Sequence, residues 1–186
     1  MKITVVSGGG RPNGNGAALV KRALSHFQGA EHEIKKYDLT AMQINACKGC
    51  FACRKKEMCV HNDDMEELRK ELLISDFVIF QSPMYMGSAT GSFQLMLNRL
   101  YPMFDGEPGK YKRRHDGIKS MLIMTQGAPN FLFGSAMRKT RGLLANYGFK
   151  FIGTVRAGSA NELGAVNKNN KAMQAVDAIC LKAISN

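Results

Sequence analysis

The stretch Ile3-Thr4-Val5-Val6-Ser7-Gly8-Gly9-Gly10-Arg11-Pro12-Asn13-Gly14-Asn15-Gly16 decides the fold. A short β-branched run meets a glycine-rich turn almost at once. The turn runs into an amphipathic segment beginning near Gly16, in which Val20, Ala23, Leu24 and Phe27 share one helical face. Strand, turn and helix in that order leave backbone N–H groups free at the helix start, and such groups make an anion site. No G-x-G-x-x-G register passes through these glycines and no Gly-Lys-Ser/Thr follows, so a dinucleotide fingerprint and a P-loop are both excluded. A tight turn alone would need fewer glycines.

The same alternation continues outward. Further strand candidates are Glu33 to Leu39, Phe77 to Gln81, Ser120 to Met124 and Phe149 to Val155, several of them apolar throughout, as strands covered on both faces should be. Met65, Leu68 and Leu72 fall on one helical face, as do Phe93, Leu97, Leu100 and Phe104, then Phe133, Met137, Leu144 and Tyr147, and finally Met173, Val176 and Cys180. Alternating strands and helices with right-handed crossovers predict an α/β fold, a three-layer doubly wound sandwich. Its five-stranded parallel sheet should have the order 2-1-3-4-5. Neither a repeat nor an inter-domain linker is visible, so residues 1–186 are expected to form a single domain, with a long loop over Ala157 to Asn170.

Ligands of such folds bind beyond the carboxyl ends of the strands where the winding reverses, so the loops after the first, third and fourth strands should hold the chemistry. After the third comes Ser82-Pro83-Met84-Tyr85-Met86-Gly87-Ser88-Ala89-Thr90-Gly91, and after the fourth Thr125-Gln126-Gly127-Ala128-Pro129. Two neighbouring loops of this kind clamp a planar ring system, with Tyr85 offering a stacking face. The competing reading of Tyr85 is an ordinary loop aromatic packed on a helix. No His/Asp/Ser constellation accompanies these loops, which points to chemistry carried by a bound group.

The loop after the second strand, at about residues 45–62, holds Cys47, Cys50, Cys53 and Cys59 in the spacing C-x2-C-x2-C-x5-C. A compact run of thiols suits an iron–sulfur cluster, whereas structural zinc more often uses two separated pairs, and any C-x2-C pair can serve as a redox dithiol. Lys48, Arg54, Lys55 and Lys56 either offset the charge of a thiolate-ligated cluster or are solvated loop residues. Asp63 and Asp64 read as caps of the following helix rather than as metal ligands. His61 fits no ligand spacing, and Cys180 reads as buried and inert.

Composition sets outer bounds. The 186 residues carry 26 Lys and Arg against 15 Asp and Glu, a net charge of +11, with 45% hydrophobic and 22% charged residues, which excludes disorder and low complexity. No apolar run reaches the roughly 18 residues of a membrane span, and no secretory signal is read. The crowded cysteines differ from the distributed set of a disulfide-stapled secreted domain, so a reduced, cytoplasmic protein is expected. The densest basic stretch, Lys110 to His115, lies between turn-like Gly106-Glu107-Pro108-Gly109 and an apolar run, and reads as a solvated loop. No nucleic-acid motif accompanies it, so neither nucleic acid nor a membrane is expected as a partner.

Three segments carry a resemblance: Arg11-Pro12-Asn13-Gly14-Asn15, the cysteine segment ending Asp63-Asp64-Met65, and Ser82-Pro83-Met84-Tyr85 with Gly87-Ser88 and Thr90-Gly91. The chain resembles the NADPH-dependent FMN reductase-like branch of the flavodoxin-like flavoproteins, close to its iron–sulfur flavoprotein group, from residue 1 to about residue 155. The resemblance implies an FMN-dependent oxidoreductase that takes a hydride from NADH or NADPH at flavin N5 and passes electrons to a small-molecule or protein acceptor. It implies FMN phosphate at Ser7, Gly9, Arg11, Asn13, Asn15 and Gly16. The isoalloxazine would be lined by Pro83, Met84, Tyr85, Met86, Gly87 and Ser88, with Gln126, Gly127 and Ala128 at its other edge. It also implies a homodimer or homotetramer, and leaves room for a [4Fe–4S] cluster on Cys47, Cys50, Cys53 and Cys59 that would make the protein an electron-transfer partner. In one respect the chain departs from the pattern, because Gly9, Gly10 and Gly16 stand where Ser, Pro and Thr are usual, removing two hydroxyl donors to the phosphate. A non-enzymatic polyanion-binding module is the third alternative.

Overall fold

A computed structural model of the chain describes residues 1–106 and 109–185. All five expected strands form. In chain order the elements are β1 (Lys2–Ser7), α1 (Asn15–Leu24), β2 (Glu33–Asp38), the single turn α2 (Cys53–Lys56), α3 (Met65–Ile74), β3 (Phe77–Tyr85), β4 (Ser88–Ala89) and α4 (Gly91–Arg99). There follow β5 (Phe104–Asp105), β6 (Lys112–Arg113), β7 (Ile118–Thr125), α5 (Gly134–Asn146), β8 (Phe149–Ala157) and α6 (Asn170–Ser185). The long strands lie side by side and parallel in the order β2-β1-β3-β7-β8, which is 2-1-3-4-5 once the short β4, β5 and β6 are set aside.

Register explains the layers. Val6, Phe80 and Leu122 are mutually opposite across β1, β3 and β7, and all three face the core beneath α3, α4 and α5. One residue earlier, Val5, Ile79 and Met121 point the other way, into the core under α1 and α6. Every interior strand is therefore apolar on both faces, and each such side chain contributes about 1.5–3 kcal/mol when fully buried. The edge strand β2 keeps Lys35 and Lys36 outward, which blunts pairing with another sheet. Arg22 and His26 both bind Asp177 and so tie α1 to α6, holding the Asp177 carboxyl at about 2. Among the described residues no helix is long and apolar enough to cross a membrane.

Several details depart from the sequence reading, the first being Phe104, expected on the buried face of α4 but lying beyond that helix in β5. Phe133 does not join the buried face of α5. It precedes the helix in the left-handed region at φ 58°, is exposed, and leaves Met137, Thr140 and Leu144 to face the core. The loop from Ala157 is interrupted by a short 3-10 turn at Ala165–Lys168. The basic stretch is only partly a solvated loop: β6 pairs with β5, Arg114 donates to the carbonyls of Phe104 and Arg54, and His115 lies 2.9 Å from Glu57. Gly106 and Gly109 have positive φ as a turn requires, while Glu107 and Pro108 of the expected turn lie outside the described residues.

Candidate functional site

The carboxyl ends of β1, β3 and β7 open onto a cleft of about 870 Å³. It brings together Ser7, Gly9, Arg11, Asn13, Asn15, Gly16, Pro83, Met84, Tyr85, Gln126 and Gly127. It does not take in Met86, Gly87 or Ser88. Those residues belong to a hairpin in which Tyr85 pairs with Ser88, and both central residues, Met86 and Gly87, have positive φ, the requirement of a tight type I′ turn. The turn carries Met86 to an exposed tip away from the cleft, 99% accessible.

On the first loop the helix start is left open. Gly14 is the N-cap of α1 and provides no side chain, and the first turn contains no acidic residue. Its N–H groups and the positive end of the helix therefore face the cleft. Arg11, Lys21 and Lys36 also line it, none with an acidic partner among the described residues, while Asp38 accepts from the Thr40 N–H and hydroxyl. The Asn15 side chain, expected as a phosphate donor, is otherwise engaged. Its Nδ2 donates to the Ala160 and Glu162 carbonyls and its Oδ1 accepts from the Val166 N–H, so the side chain pins the loop before α6 and only the backbone of Asn15 serves the cleft.

Opposite, Tyr85 is 58% exposed and lines the cleft, so its ring is not packed away against a helix. Gln126 is buried and donates through Nε2 to the carbonyls of Ala128, Pro129 and Leu132, which fixes the loop after β7. Its Oε1 is buried with no partner among the described residues. A buried acceptor left open costs about 1–3 kcal/mol, so a ligand donor here would be favoured. Thr90 Oγ1 donates to the Gly8 carbonyl and accepts from the Phe93 N–H, joining the glycine loop to the start of α4.

Gln81 escaped the sequence reading as a site residue. It lies in β3, is 2% exposed and lines the cleft, and its Oε1 accepts from Ser7 Oγ at 3.1 Å. The signal was present: a lone amide directly after the apolar run Phe77 to Phe80. Tyr37 also lines the cleft, and burial together with a hydrogen bond to Glu67 pushes its phenol up to about 12, so it keeps its proton.

The cysteine segment forms a second cavity of about 290 Å³, lined by Cys47, Cys50, Cys53, Cys59, His61 and Arg99 among others. All four thiols are free. Burial pushes the Cys53 thiol up. The donors are right in kind for a cluster, yet among the described residues no three His, Cys, Asp or Glu side chains are assembled as a metal-ligand group. Two arginines hold this segment. Arg54, expected as a charged neighbour or a solvated residue, is instead 6% exposed, with its guanidinium 4.7 Å from the Tyr101 ring, 5.4 Å from Phe104 and 4.0 Å from Tyr111. Arg99 binds Asp63, which corrects the reading of that residue as chiefly a helix cap. Of the two acidic residues, Asp64 holds the N-cap position but bonds the Gln43 N–H, and Asp63 reaches the Met65 N–H only at 3.3 Å.

The profile of the NADPH-dependent FMN reductase family matches residues 1–164, and the chain belongs to that family. An iron–sulfur flavoprotein of Archaeoglobus fulgidus is 33% identical over 102 residues, 55% of this chain and 46% of that protein. Another, of Methanocaldococcus jannaschii, is 36% identical over 100 residues, 53% of this chain and 50% of that protein. The chain thus spans about half the length of the curated relatives it matches. A solved flavone reductase superposes with a TM-score of 0.70 at 20% identity, covering 99% of this chain and 63% of the other, which shows the shared fold. The apo form of an NADH:FMN oxidoreductase does so with 0.67 at 18%, covering 97% and 89%.

Proposed function

We propose that this member of the NADPH-dependent FMN reductase family is an FMN-dependent NAD(P)H oxidoreductase passing electrons from a nicotinamide cofactor through flavin to a second acceptor. The observation that carries this reading is the cleft, with an uncapped helix start at one end and an exposed aromatic ring and an unpartnered amide oxygen at the other. FMN, when bound, supplies the hydride and electron chemistry. The chain binds and orients it. First-turn N–H groups of α1 with Arg11 and Lys21 suit a phosphate, Tyr85 offers a stacking face, and Gln126 Oε1 offers an acceptor that its three Nε2 bonds hold still. No side chain of the cleft needs to take a proton, in keeping with the engaged Asp38 and the protonated Tyr37.

Charge favours NADPH, which carries an extra phosphomonoester, over NADH. Residues 117–161 contain six Lys and Arg and no Asp or Glu. Arg138 and Arg156 both reach Gly134, where the loop from Gln126 ends, and neither has an acidic partner among the described residues. Paired guanidinium groups of this kind match a phosphomonoester. Exposed Met86, Phe131 and Phe133 support assembly as a homodimer or homotetramer.

A second reading adds a [4Fe–4S] cluster on Cys47, Cys50, Cys53 and Cys59, supported by the cavity those four thiols share. Anaerobic mixing of FMN-loaded protein with NADPH and with NADH tests the main reading. Bleaching of the oxidised flavin, faster with NADPH, is expected; bound flavin that neither cofactor reduces contradicts it.

A further inference from the structure

Positions 9 and 16 of the glycine loop lack the hydroxyl side chains expected of a phosphate site, and another group stands in their place. A Cβ on Gly16 would collide with the side-chain amide of Gln81, and one on Gly9 would lie 3.2 Å from Gln81 Oε1. The Gln81 amide thus fills the space that side chains at both positions would occupy, and only glycine at 16 leaves room for it. Ser7 Oγ donates to Oε1, which turns the amide so that Nε2 faces Gly16 in the first turn of α1. Nε2 has no acceptor among the described residues and, unlike Gln126 Oε1, is not shut off from solvent, so it stays open toward the cleft that the residue lines. A donor open to the cleft is free to bond an acceptor there.

We infer that Gln81 Nε2 is a donor to the phosphate of the flavin nucleotide, replacing the hydroxyls absent at positions 9 and 16. The inference rests on the FMN reading above and adds a residue to its phosphate end. Phosphate oxygens accept only, so the amide NH2, not its oxygen, must face them, and the Ser7 bond sets that orientation.

The test compares dissociation constants of FMN and riboflavin, measured by quenching of flavin fluorescence on apoprotein. Riboflavin has the same ring and ribityl chain without the phosphate, so a loss of general packing affects both ligands. Gln81→Leu, which keeps the volume and removes the donor, and Gln81→Ala should each weaken FMN by about tenfold or more while leaving riboflavin within about twofold. The double variant Gln81→Gly with Gly16→Thr, which makes room for a hydroxyl, should recover much of the FMN affinity. Three results overturn the inference: unchanged FMN affinity, an equal loss for both ligands, or tighter FMN binding by Gln81→Ala, which would make Gln81 a plug. Failure of the FMN reading looks different, because then no variant and no wild-type protein takes up either flavin.

Discussion

Arg99 and Asp63 form a buried two-pronged ion pair, with Nη1 2.6 Å from Oδ2 and Nη2 2.9 Å from Oδ1 and side-chain exposures of 1% and 3%. The pair bolts the end of α4 to the chain just beyond the cysteines. Asn45, before the cysteines, joins it from the other side, its carbonyl accepting from Arg99 and its N–H donating to Asp63. The whole cysteine segment is therefore closed at both ends on one guanidinium.

Breaking one partner strands the other, so Asp63→Asn should destabilise the protein by about 3–5 kcal/mol in denaturant unfolding. Burial alone would push the Asp63 carboxyl up, but Arg99 and Asn45 outweigh it and hold it well below the usual carboxylate range. A carboxyl lowered on folding stabilises fully above its unfolded value, about 3.9, and loses that contribution as pH falls below it. Wild-type stability should therefore drop below about pH 4 through this pair, and the drop should shrink in Asp63→Asn. Equal acid profiles would contradict the assignment.

Arg54 holds the centre of the same segment through three aromatic rings, each such contact worth about 0.5–2 kcal/mol. Arg54→Ala should raise the alkylation rate of Cys53 by severalfold without touching flavin affinity. An unchanged rate would show that the cage does not restrain the loop.

The five thiols should divide by burial. Cys180 is fully buried on α6, and burial with nearby Asp177 pushes its thiol up to about 12. Four thiols should react with a disulfide reagent in native protein and the fifth only after unfolding. Five native reactions would show that α6 opens readily.

If Arg138 and Arg156 receive the extra phosphate of NADPH, replacing both by Ala should raise KM for NADPH by about tenfold and leave KM for NADH little changed. On the same proposal, a preference for NADPH over NADH should fade with added salt. Equal rises for both cofactors would place the arginines outside the nucleotide path.

How much of this was legible follows from what each residue depends on. The strands around Val5, Ile79 and Ile123 were readable because a β-branched run between turn signals needs no long-range information. The place of the cleft followed from the winding of the sheet, and the glycine loop at its edge from its own chemistry. Asn15, Arg54 and Arg99 were not readable in their roles, because each is defined by a partner far along the chain: the Asn15 side chain by Ala160 to Val166, Arg99 by Asp63, Arg54 by Tyr101 to Tyr111. Phe133 misled because its helical spacing is correct while its backbone is left-handed. The stretch Lys110 to His115 misled because charge alone does not distinguish a solvated lysine from Arg114 bonded to two carbonyls.

The most direct test of the central claim is the visible absorption spectrum of protein purified without oxygen and then offered FMN, with iron and sulfide assayed on the same sample. The account predicts flavin bands at one FMN per chain, and any iron found should depend on the four cysteines between residues 47 and 59. A folded protein that stays colourless and takes up no FMN on reconstitution would contradict it.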